Sequence, residues 1–487
     1  MANLEAHAAG YPLEHDALIS FSVRLPGIAI LLATGLILRL SLAFLPGFGV
    51  DMGTFMAWSN SLANNHPWNF YQPNMFTDYA PGYMYVLWLI GELNQTFHFT
   101  PAQFEYILKM PSIIADLASA FLIYRILDKQ SPGARLGAVA FYVFFPAALL
   151  IGPIWGQVDS ILAFFLLLSV YYIARDRPLH GAVAYTVGFL VKPQAIAALP
   201  FLAFWILRDR MAWRRHVLGG LQLRSPVLTD VRTILMCVVV PFIVLLVLIT
   251  PFFRAEPWRL FEVLYDATNV ANYRVNSFWA YNFWNFGGLF EQGFKCDLPS
   301  ACPPGAQSTE WFGIATRYWG IALFAGSLTV ILWSLRNARD TGYIALGTAL
   351  SVLAFYLFLT RMHERYVFAA FLPLLVAAVM INGRVLWAAF VVLATAHFIN
   401  LYHVYNYYYP YNSLGPADLQ GKPSIRVEGL YDWLEKGDLF GVDWPLLGRL
   451  ETVQFLSMVM VASFLVLLFG TFYALETRRQ PRAVEPT

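Results

Sequence analysis

Several ionisable side chains in this chain stand beside long apolar segments, where a charged group is costly unless it is paired. Asp51 directly follows the first apolar segment, and Asp78 comes just before a short apolar run at 81–97. A carboxylate at such a border is a candidate general base, because it can take a proton from a reacting hydroxyl. In the alternative, Asp51 and Asp78 only cap the helices that follow them.

Lys192 is the most informative cation, because it lies within an otherwise apolar stretch at 179–208. A buried ammonium needs an anion. Two partners remain open at this point: a protein carboxylate such as Asp159, or a phosphate group of a ligand.

A further polar cluster consists of Arg361, His363, Glu364 and Arg365. Guanidinium groups bind phosphate oxygens in a forked geometry. The segment 47–102 has no lysine or arginine, so it offers no basic funnel for a soluble phosphate. A few cations at membrane depth instead favour a phosphate carried on a lipid. The remaining site candidates are polar or aromatic residues beside the same segments: Gln157, Gln194, Arg274, Asn282 and Trp284.

Composition shows which elements must hold these residues. Of the 487 residues, 13% are charged and 58% are hydrophobic, whereas soluble domains have roughly 25% charged residues. A soluble globular protein is therefore excluded, and the 17% of aromatic residues exclude a disordered chain. A net charge of +2 provides no basic face for nucleic acid, and three cysteines exclude a disulfide scaffold. The composition predicts an all-α, polytopic membrane helical bundle.

Apolar stretches of about 20 residues predict about twelve transmembrane helices. The run 81–97 is short and ends in polar residues, so it is predicted to lie at the membrane interface, like a helix from Met52 to Asn65. The predicted spans are 26–46, 103–127, 134–152, 156–174, two short helices within 179–208 that meet at Lys192-Pro193-Gln194, 232–252, 311–335, 342–360, 365–382, 384–402 and 452–475.

The positive-inside rule supports this arrangement. With these spans, 18 of the 32 lysines and arginines fall on one face, which is predicted to be cytoplasmic. The candidate residues fall on the opposite face. The predicted organisation is a cytoplasmic segment at 1–25, a membrane module at 26–382 with outer loops 47–102 and 253–310, C-terminal spans at 383–475 with a tyrosine-rich outer loop at 403–451, and a cytoplasmic tail at 476–487.

Two features of the outer loops each allow two interpretations. Cys296 and Cys302 share one loop, where an oxidising environment would let them form a disulfide across a small hairpin; otherwise they are free thiols. The tyrosine-rich run at 402–411 is interpreted as an aromatic belt at the interface rather than as a sugar-stacking surface.

The same residues resemble the sequence motifs of a known protein family. The chain resembles the GT-C superfamily of membrane glycosyltransferases, most closely bacterial relatives of the second mannosyltransferase of GPI anchors, and more loosely the dolichyl-phosphate-glucose-dependent glucosyltransferases. The resemblance implies that Asp51 is the catalytic base, that Lys192 and the Arg365 region bind a lipid phosphate, and that 26–382 is the catalytic module. The motifs that carry it are Asp51, Asp78-Tyr79-Ala80-Pro81, Trp155-Gly156-Gln157-Val158-Asp159-Ser160, Leu190-Val191-Lys192-Pro193-Gln194 and Arg361-Met362-His363-Glu364-Arg365-Tyr366.

Together these inferences predict an inverting glycosyltransferase in a bacterial plasma membrane, with its active site on the extracytoplasmic face. It would move a hexose, with mannose preferred by the resemblance, from a polyprenyl-phosphate sugar to a hydroxyl of a glycolipid, glycan or protein. The alternative is a transporter or flippase of lipid-linked saccharides, which also holds charge at broken helices. No cofactor or metal is predicted, although Asp51, Asp78 and Asp159 leave a carboxylate-bound divalent cation open.

Overall fold

The structure is a computed structural model that describes residues 15–72, 77–218, 221–269, 274–285, 295–299, 302, 309–408, 425–436, 438–444 and 448–477. Helices account for most of these residues. They are α1 His15–Leu42, α2 Gly49–Asn65, α3 Pro81–Phe97, α4 Pro101–Ile126, α5 Pro132–Val143, α6 Pro146–Leu149, α7 Asp159–Ala174, α8 Pro178–Val191, α9 Leu199–Arg208, α10 Val231–Phe253, α11 Arg259–Asn269, α12 Thr316–Leu335, α13 Thr341–Phe358, α14 Phe371–Ile381, α15 Arg384–Tyr408, α16 Glu428–Lys436 and α17 Thr452–Thr477.

Apolar helices confirm the prediction of an all-α polytopic membrane protein. Among the described residues, six helices are long and apolar enough to cross a bilayer, and a bent pair makes a seventh. The six are α4, α10, α12, α13, α15 and α17. Five shorter apolar helices, which include α7, α8 and α9, occupy the other predicted spans. Each predicted span therefore coincides with an apolar helix or with the bent pair.

Prolines break two of the predicted spans. The span at 134–152 bends by 42° between α5 and the helical segment that begins at Pro146, and it continues as a π-helical turn, Leu150–Trp155. The stretch 179–208 breaks as predicted, because α8 ends before Lys192 and a 3₁₀ turn, Pro193–Ala197, leads to α9. Proline removes a backbone donor and cannot continue the helix without loss of a hydrogen bond. Both breaks place extended or irregular backbone beside candidate site residues.

The first outer loop contains the two predicted helices, α2 and α3, packed against each other. Phe55, Trp58 and Leu62 form the buried stripe that the spacing predicts, and all three are at most 3% exposed. A left-handed residue, His98, ends α3, and a capping box at Thr100 begins α4. These local signals separate α3 from α4, so 81–97 forms its own short helix.

Short strands in the loops are a feature that the sequence analysis did not predict. A hairpin of β1 Met211–Leu218 and β2 Leu221–Leu228 occupies the basic loop before α10. A hairpin of β4 Glu310–Trp311 and β5 Ile314–Ala315 delays the start of α12 to Thr316. The other strands are β3 Ser277–Phe278, which pairs in parallel with β6 Met362–His363, and β7 Asp438–Trp444, which pairs with β8 Gly448–Glu451.

The tyrosine-rich run lies partly outside the described residues, which stop at 408 in this part of the chain. Tyr402 and Tyr405 are buried. The Tyr405 hydroxyl donates to the Pro46 carbonyl oxygen at 2.5 Å, and the Tyr402 hydroxyl donates to the Ile425 carbonyl oxygen at 3.3 Å. The aromatic-belt interpretation is therefore wrong for these two residues, which tie α15 to other loops.

Candidate active site

Asp51 lies in the first turn of α2, where it does not act as the N-cap. Phe48 holds the N-cap position. One oxygen of Asp51, Oδ2, accepts hydrogen bonds from Trp155 Nε1 at 2.7 Å and from Gln157 Nε2 at 2.5 Å. The capping alternative is therefore wrong for Asp51, and its carboxylate is instead held by two side chains from the turn before α7.

Four hydrogen bonds and one ring contact fix the segment just before Asp51. The Lys109 ammonium, paired with Glu105 at 2.8 Å, donates to the carbonyl oxygens of Ala43 and Leu45. The Glu105 carboxylate accepts from the Gly47 backbone N–H at 2.6 Å. Phe48 donates its backbone N–H to the Trp155 carbonyl oxygen at 3.0 Å, and its ring stacks on Trp155 with centroids 4.5 Å apart. A buried ion pair on α4 thus positions the start of α2.

Gln157 links Asp51 to the Asp78-Tyr79-Ala80-Pro81 motif. Its amide nitrogen donates to Asp51, and its Oε1 accepts from the Tyr79 hydroxyl at 3.1 Å. The left-handed Gly156, with φ 89°, makes the turn that brings Trp155 and Gln157 to the same carboxylate. Trp155 and Gln157 are fully buried, so the orientation of Asp51 is set by a rigid surrounding.

Asp78 does not cap α3 either, because Ala80 holds the N-cap position without a side-chain hydrogen bond. Burial raises the pKa of the Asp78 carboxyl to about 6, Arg365 opposes this rise, and the Asp51 carboxylate adds to it. Lys192 also lowers the pKa of Asp78. These electrostatic couplings show that Asp51, Asp78, Lys192 and Arg365 lie close together, as the sequence analysis predicts.

Lys192 pairs with a protein carboxylate. Its ammonium lies 2.8 Å from both oxygens of Asp159, the first residue of α7. The ammonium also lies 5.8 Å from the centre of the Tyr79 ring and 5.4 Å from that of Tyr366. Of the two partners left open above, the structure contains Asp159, so the charge of Lys192 is already balanced.

Arg361 is held in the same way by Asp297, a residue that the sequence analysis did not single out. Nε of Arg361 lies 2.7 Å from Oδ2 of Asp297, and Nη2 lies 2.9 Å from Oδ1. Asp297 also accepts from the Thr360 hydroxyl at 2.7 Å. The Arg361 guanidinium, which was expected to bind a phosphate in a forked geometry, thus binds a buried carboxylate. Through this pair, Arg361 joins the second outer loop to the segment that connects α13 and α14.

The rest of this connection combines a cation, an acid and a neutral imidazole. Nη1 of Arg365 lies 2.8 Å from the buried Glu364 carboxylate. Burial raises the pKa of Glu364, and Arg365 opposes that rise. Burial, with the charges of Arg365 and Lys192, lowers the pKa of His363 well below its usual value. His363 is therefore neutral at pH 7 and adds no positive charge to the site.

A cavity of about 350 Å³ opens between these elements. Asp78, Lys192, Gln194, His363 and Arg365 are among its polar lining residues, together with Arg361 and Arg317. Its apolar lining comes from the 3₁₀ turn Pro193–Ala197, from α11 and α12, and from the end of α13. It consists mainly of Ile196, Leu264, Ile321, Phe355 and Leu359. Asp51 does not line this cavity, but it lies next to it through Gln157 and Tyr79.

Arg317 is the cavity residue that the sequence analysis missed. It lies at the start of α12, and within the described part of the chain its side chain makes no hydrogen bond or ion pair. The other cations of the lining, Lys192, Arg361 and Arg365, each have a carboxylate partner. Among the described residues, Arg317 is therefore the cation of the lining that has no carboxylate partner. Its position six residues inside the predicted span 311–335 was the available signal.

Three other predicted residues do not join the site. Asn282 accepts from the Trp284 backbone N–H at 3.2 Å, and Trp284 Nε1 donates to the Phe358 carbonyl oxygen at 2.9 Å. Both are fully buried and fasten the second outer loop to the end of α13. The backbone carbonyl oxygen of Arg274 accepts from the Asp297 backbone N–H at 3.3 Å. None of the three is among the lining residues of the cavity.

The sequence analysis also left open a disulfide between Cys296 and Cys302 and a site for a divalent cation. Cys296 and Cys302 are free thiols in the structure, so the disulfide is not formed there. Burial and the neighbouring Cys302 side chain raise the pKa of Cys296 to about 11, and the disulfide stays a prediction for oxidising conditions. Within the described residues, no group of three or more histidine, cysteine or acidic side chains is arranged to hold a metal ion.

Gly82 allows α3 to lie directly on the backbone that leads to Lys192. A Cβ atom on Gly82 would meet the Leu190 carbonyl carbon at 2.5 Å and its oxygen at 2.6 Å. We expect Gly82→Ala to lower the melting temperature and the activity together, because overpacking costs about 1–3 kcal/mol. Gly133→Ala is the matched control, since Gly133 also follows the first proline of a helix and has open space around it. Equal melting temperatures of the two variants would contradict this close packing.

The raised pKa of Asp78 predicts that the stability of the protein depends on pH. Its pKa is about 6 in the folded protein and 3.8 for a free carboxyl, so the unfolded chain loses its proton first as the pH rises. Asp78 therefore lowers the free energy of unfolding increasingly between about pH 4 and pH 6. We expect Asp78→Asn to raise the melting temperature over wild type more at pH 7 than at pH 4. A gain of the same size at both pH values would argue against the buried, partly protonated carboxyl.

Comparisons with known proteins show the family of this chain. Residues 78–406 match the ALG6, ALG8 glycosyltransferase family. A dolichyl pyrophosphate Glc1Man9GlcNAc2 alpha-1,3-glucosyltransferase from Arabidopsis thaliana is 22% identical over an alignment of 351 residues that covers 67% of this chain. The match spans 66% of that relative's length, slightly less than two thirds.

These matches support the GT-C resemblance through its looser branch, the glucosyltransferases. The closer comparison with the GPI-anchor mannosyltransferase, and mannose with it, is not supported. The matched range contains Asp78, Asp159, Lys192 and Arg365, whereas Asp51 precedes it. Because this range covers more than half of the 487 residues, the chain belongs to the ALG6, ALG8 glycosyltransferase family.

Proposed function

We propose that this protein transfers a hexose from a polyprenyl-phosphate sugar to an acceptor hydroxyl, with Asp51 as the general base. The observation that carries the proposal is the Asp51 carboxylate, which two buried N–H donors hold beside a cavity lined by Lys192, Arg365 and Arg317. Both donors contact Oδ2, and within the described residues no hydrogen bond is made to Oδ1. Oδ1 is therefore the oxygen available to take a proton.

The cavity suits the donor because its lining combines cations with apolar side chains. Lys192, Arg365 and Arg317 line it and can attract a phosphate diester. Lys192 and Arg365 also interact electrostatically with Asp51. Ile196, Leu264 and the apolar residues of α12 and α13 offer a surface for the first isoprene units of a lipid. At about 350 Å³, the space is in the usual range for a small-molecule site.

The proposed reaction is a direct displacement. The acceptor hydroxyl oxygen attacks the anomeric carbon, the bond from that carbon to the phosphate oxygen breaks, and the hydroxyl proton passes to Asp51. The polyprenyl phosphate leaves with the bonding electron pair, and the nearby cations stabilise its charge. A single displacement inverts the anomeric configuration.

The sugar and acceptor are proposed by class. The name of the Arabidopsis relative states that it is a glucosyltransferase that acts on a dolichyl-pyrophosphate-linked glycan. We therefore take glucose as the first donor sugar to test, mannose as the second, and a lipid-linked glycan as the first acceptor class. Glycan and protein acceptors follow. The proposed location is a bacterial plasma membrane, with the site on the extracytoplasmic face.

A transfer assay tests this proposal. Purified protein in phosphatidylcholine vesicles would receive polyprenyl-phosphate [¹⁴C]glucose or [¹⁴C]mannose, together with lipid-linked oligosaccharides as acceptors. We expect radioactivity to move from the donor to the acceptor fraction, and the new linkage to have the inverted configuration. Recovery of intact donor on the opposite side of the vesicle membrane, with no labelled product from any acceptor class, would support a flippase and overturn the transferase proposal.

A further inference from the structure

A second cavity, of about 660 Å³, lies at the other end of the helix bundle. It is formed by the turn from α4 to α5, the end of α7, Thr341 at the start of α13 and Met380 near the end of α14. The helix α7 begins at Asp159 in the candidate active site and has 16 residues. At about 1.5 Å per residue, this helix separates the two cavities by about 24 Å.

Basic side chains dominate the lining of this second cavity. Arg125, Lys129, Arg175 and Arg177 line it, with Asp128 as the single acidic residue among its lining residues. Arg175 pairs with Asp128 and also donates to the Arg125 carbonyl oxygen at 3.2 Å. The only carboxylate of the lining is therefore already used by one arginine.

Among the described residues, three positive charges of this lining have no counterion. In the described part of the chain, the side chains of Arg125, Lys129 and Arg177 make no hydrogen bond or ion pair. All three are exposed to the cavity or to the surrounding solvent. Tyr171 and Tyr172 add aromatic rings to the wall, and the Arg175 guanidinium lies 4.6 Å from the centre of the Tyr171 ring. The cavity is thus suited to a ligand with a concentrated negative charge.

The position of the cavity indicates where this ligand comes from. Its walls are the ends of apolar helices, at the level where a bilayer meets water. By the positive-inside rule this end faces the cytoplasm. The cytoplasmic surface of a membrane is rich in anionic lipids, whose head groups bind in basic pockets between transmembrane helices. A volume of about 660 Å³ exceeds what a phosphate ion needs and leaves room for a glycerol backbone.

We propose that this second cavity binds the phosphate-bearing head group of an anionic phospholipid from the cytoplasmic leaflet. Arg125, Lys129 and Arg177 surround the phosphate, and the acyl chains extend into the bilayer along the neighbouring helices. The site is separate from the proposed transfer reaction and needs no other ligand.

Lipid binding to the purified full-length protein tests this proposal. Native mass spectrometry would compare retention of phosphatidylglycerol with that of phosphatidylcholine of the same chain length, and glycerol phosphate would serve as the soluble head-group probe. We expect phosphatidylglycerol to bind on the order of 100-fold more tightly than phosphatidylcholine, because about three cations contribute. Glycerol phosphate should compete weakly. Equal retention of the two lipids by the wild-type protein would overturn the proposal.

A matched pair of triple variants locates the binding. The variant Arg125→Gln/Lys129→Gln/Arg177→Gln should lose the preference for phosphatidylglycerol. The control Arg232→Gln/Arg339→Gln/Arg384→Gln removes the same charge from exposed positions on the same face, outside this cavity, and should keep the preference. If both triples lose it equally, general surface charge explains the binding. If glycerol phosphate competes as well as the lipid, the cavity is a site for a soluble anion. Should the cavity triple fail to fold, the single variant Lys129→Gln replaces it.

Discussion

Asp51→Asn is expected to lower kcat by about 10²–10⁴-fold, the usual contribution of a positioned general base. Asparagine keeps the size of the side chain and one oxygen that can accept the hydrogen bonds of Trp155 and Gln157. It removes only the capacity to take a proton. The KM for the donor should change little, because the cations near the phosphate are untouched. The measurement is kcat in the transfer assay at saturating donor and acceptor.

Asp78→Asn is the control for this prediction. Asp78 lies in the same electrostatic cluster, but no described side chain orients it in the way that Trp155 and Gln157 orient Asp51. We expect it to lose much less activity than Asp51→Asn. If Asp51→Asn keeps more than about a tenth of the wild-type kcat, the base is another group, and Asp78 becomes the first candidate.

Arg317→Gln is expected to lower kcat/KM for the polyprenyl-phosphate donor by about 10- to 100-fold, chiefly through a higher KM. A hydrogen bond to a charged group contributes about 1.5–3 kcal/mol, and about 1.4 kcal/mol is tenfold. The melting temperature should stay near that of wild type, because no buried carboxylate loses its partner. The measurements are donor kinetics in the transfer assay and thermal unfolding in the same detergent.

Two further variants sharpen the test of Arg317. Arg317→Lys keeps the charge and should restore part of the donor affinity, although it loses the forked geometry. Arg361→Gln leaves the buried Asp297 unpaired, so it should lower the melting temperature as well as the activity. Unchanged donor kinetics in Arg317→Gln would assign the phosphate to Lys192 and Arg365 alone.

Apolar periodicity and charge placement predicted the helices and the proximity of the site residues. The broken helix at Lys192, the buried stripe of α2 and the electrostatic contact between Asp51, Asp78 and Arg365 all agree with the sequence analysis. These features are local, or they follow from which side of the bilayer a loop lies on. One chain and its spacing therefore suffice to predict them.

The pairing of charges was harder to predict, because it depends on contacts between distant parts of the chain. Asp297 lies in a loop with no helical or apolar pattern, so nothing in the sequence marks it as the partner of Arg361. Arg317 was missed for the opposite reason. It stands out because it has no partner among the described residues, and the sequence does not show which cations lack one. Asn282 and Trp284 were placed among the site candidates because the same residue types occur in a buried loop and in a binding site.

The Lys192–Asp159 ion pair also bears on how this chain enters the membrane during synthesis. The two residues are 33 positions apart: Asp159 begins α7, and Lys192 directly follows the neighbouring helix α8. One inserting hairpin therefore carries both charges. Glu105 and Lys109 pair within a single helix. The translocation machinery thus receives these groups as neutral pairs, which lowers the barrier for entry into lipid. Arg365 emerges more than 300 residues after Asp51. The nine predicted spans that precede Arg365 can therefore enter the bilayer before this residue of the candidate site is synthesised.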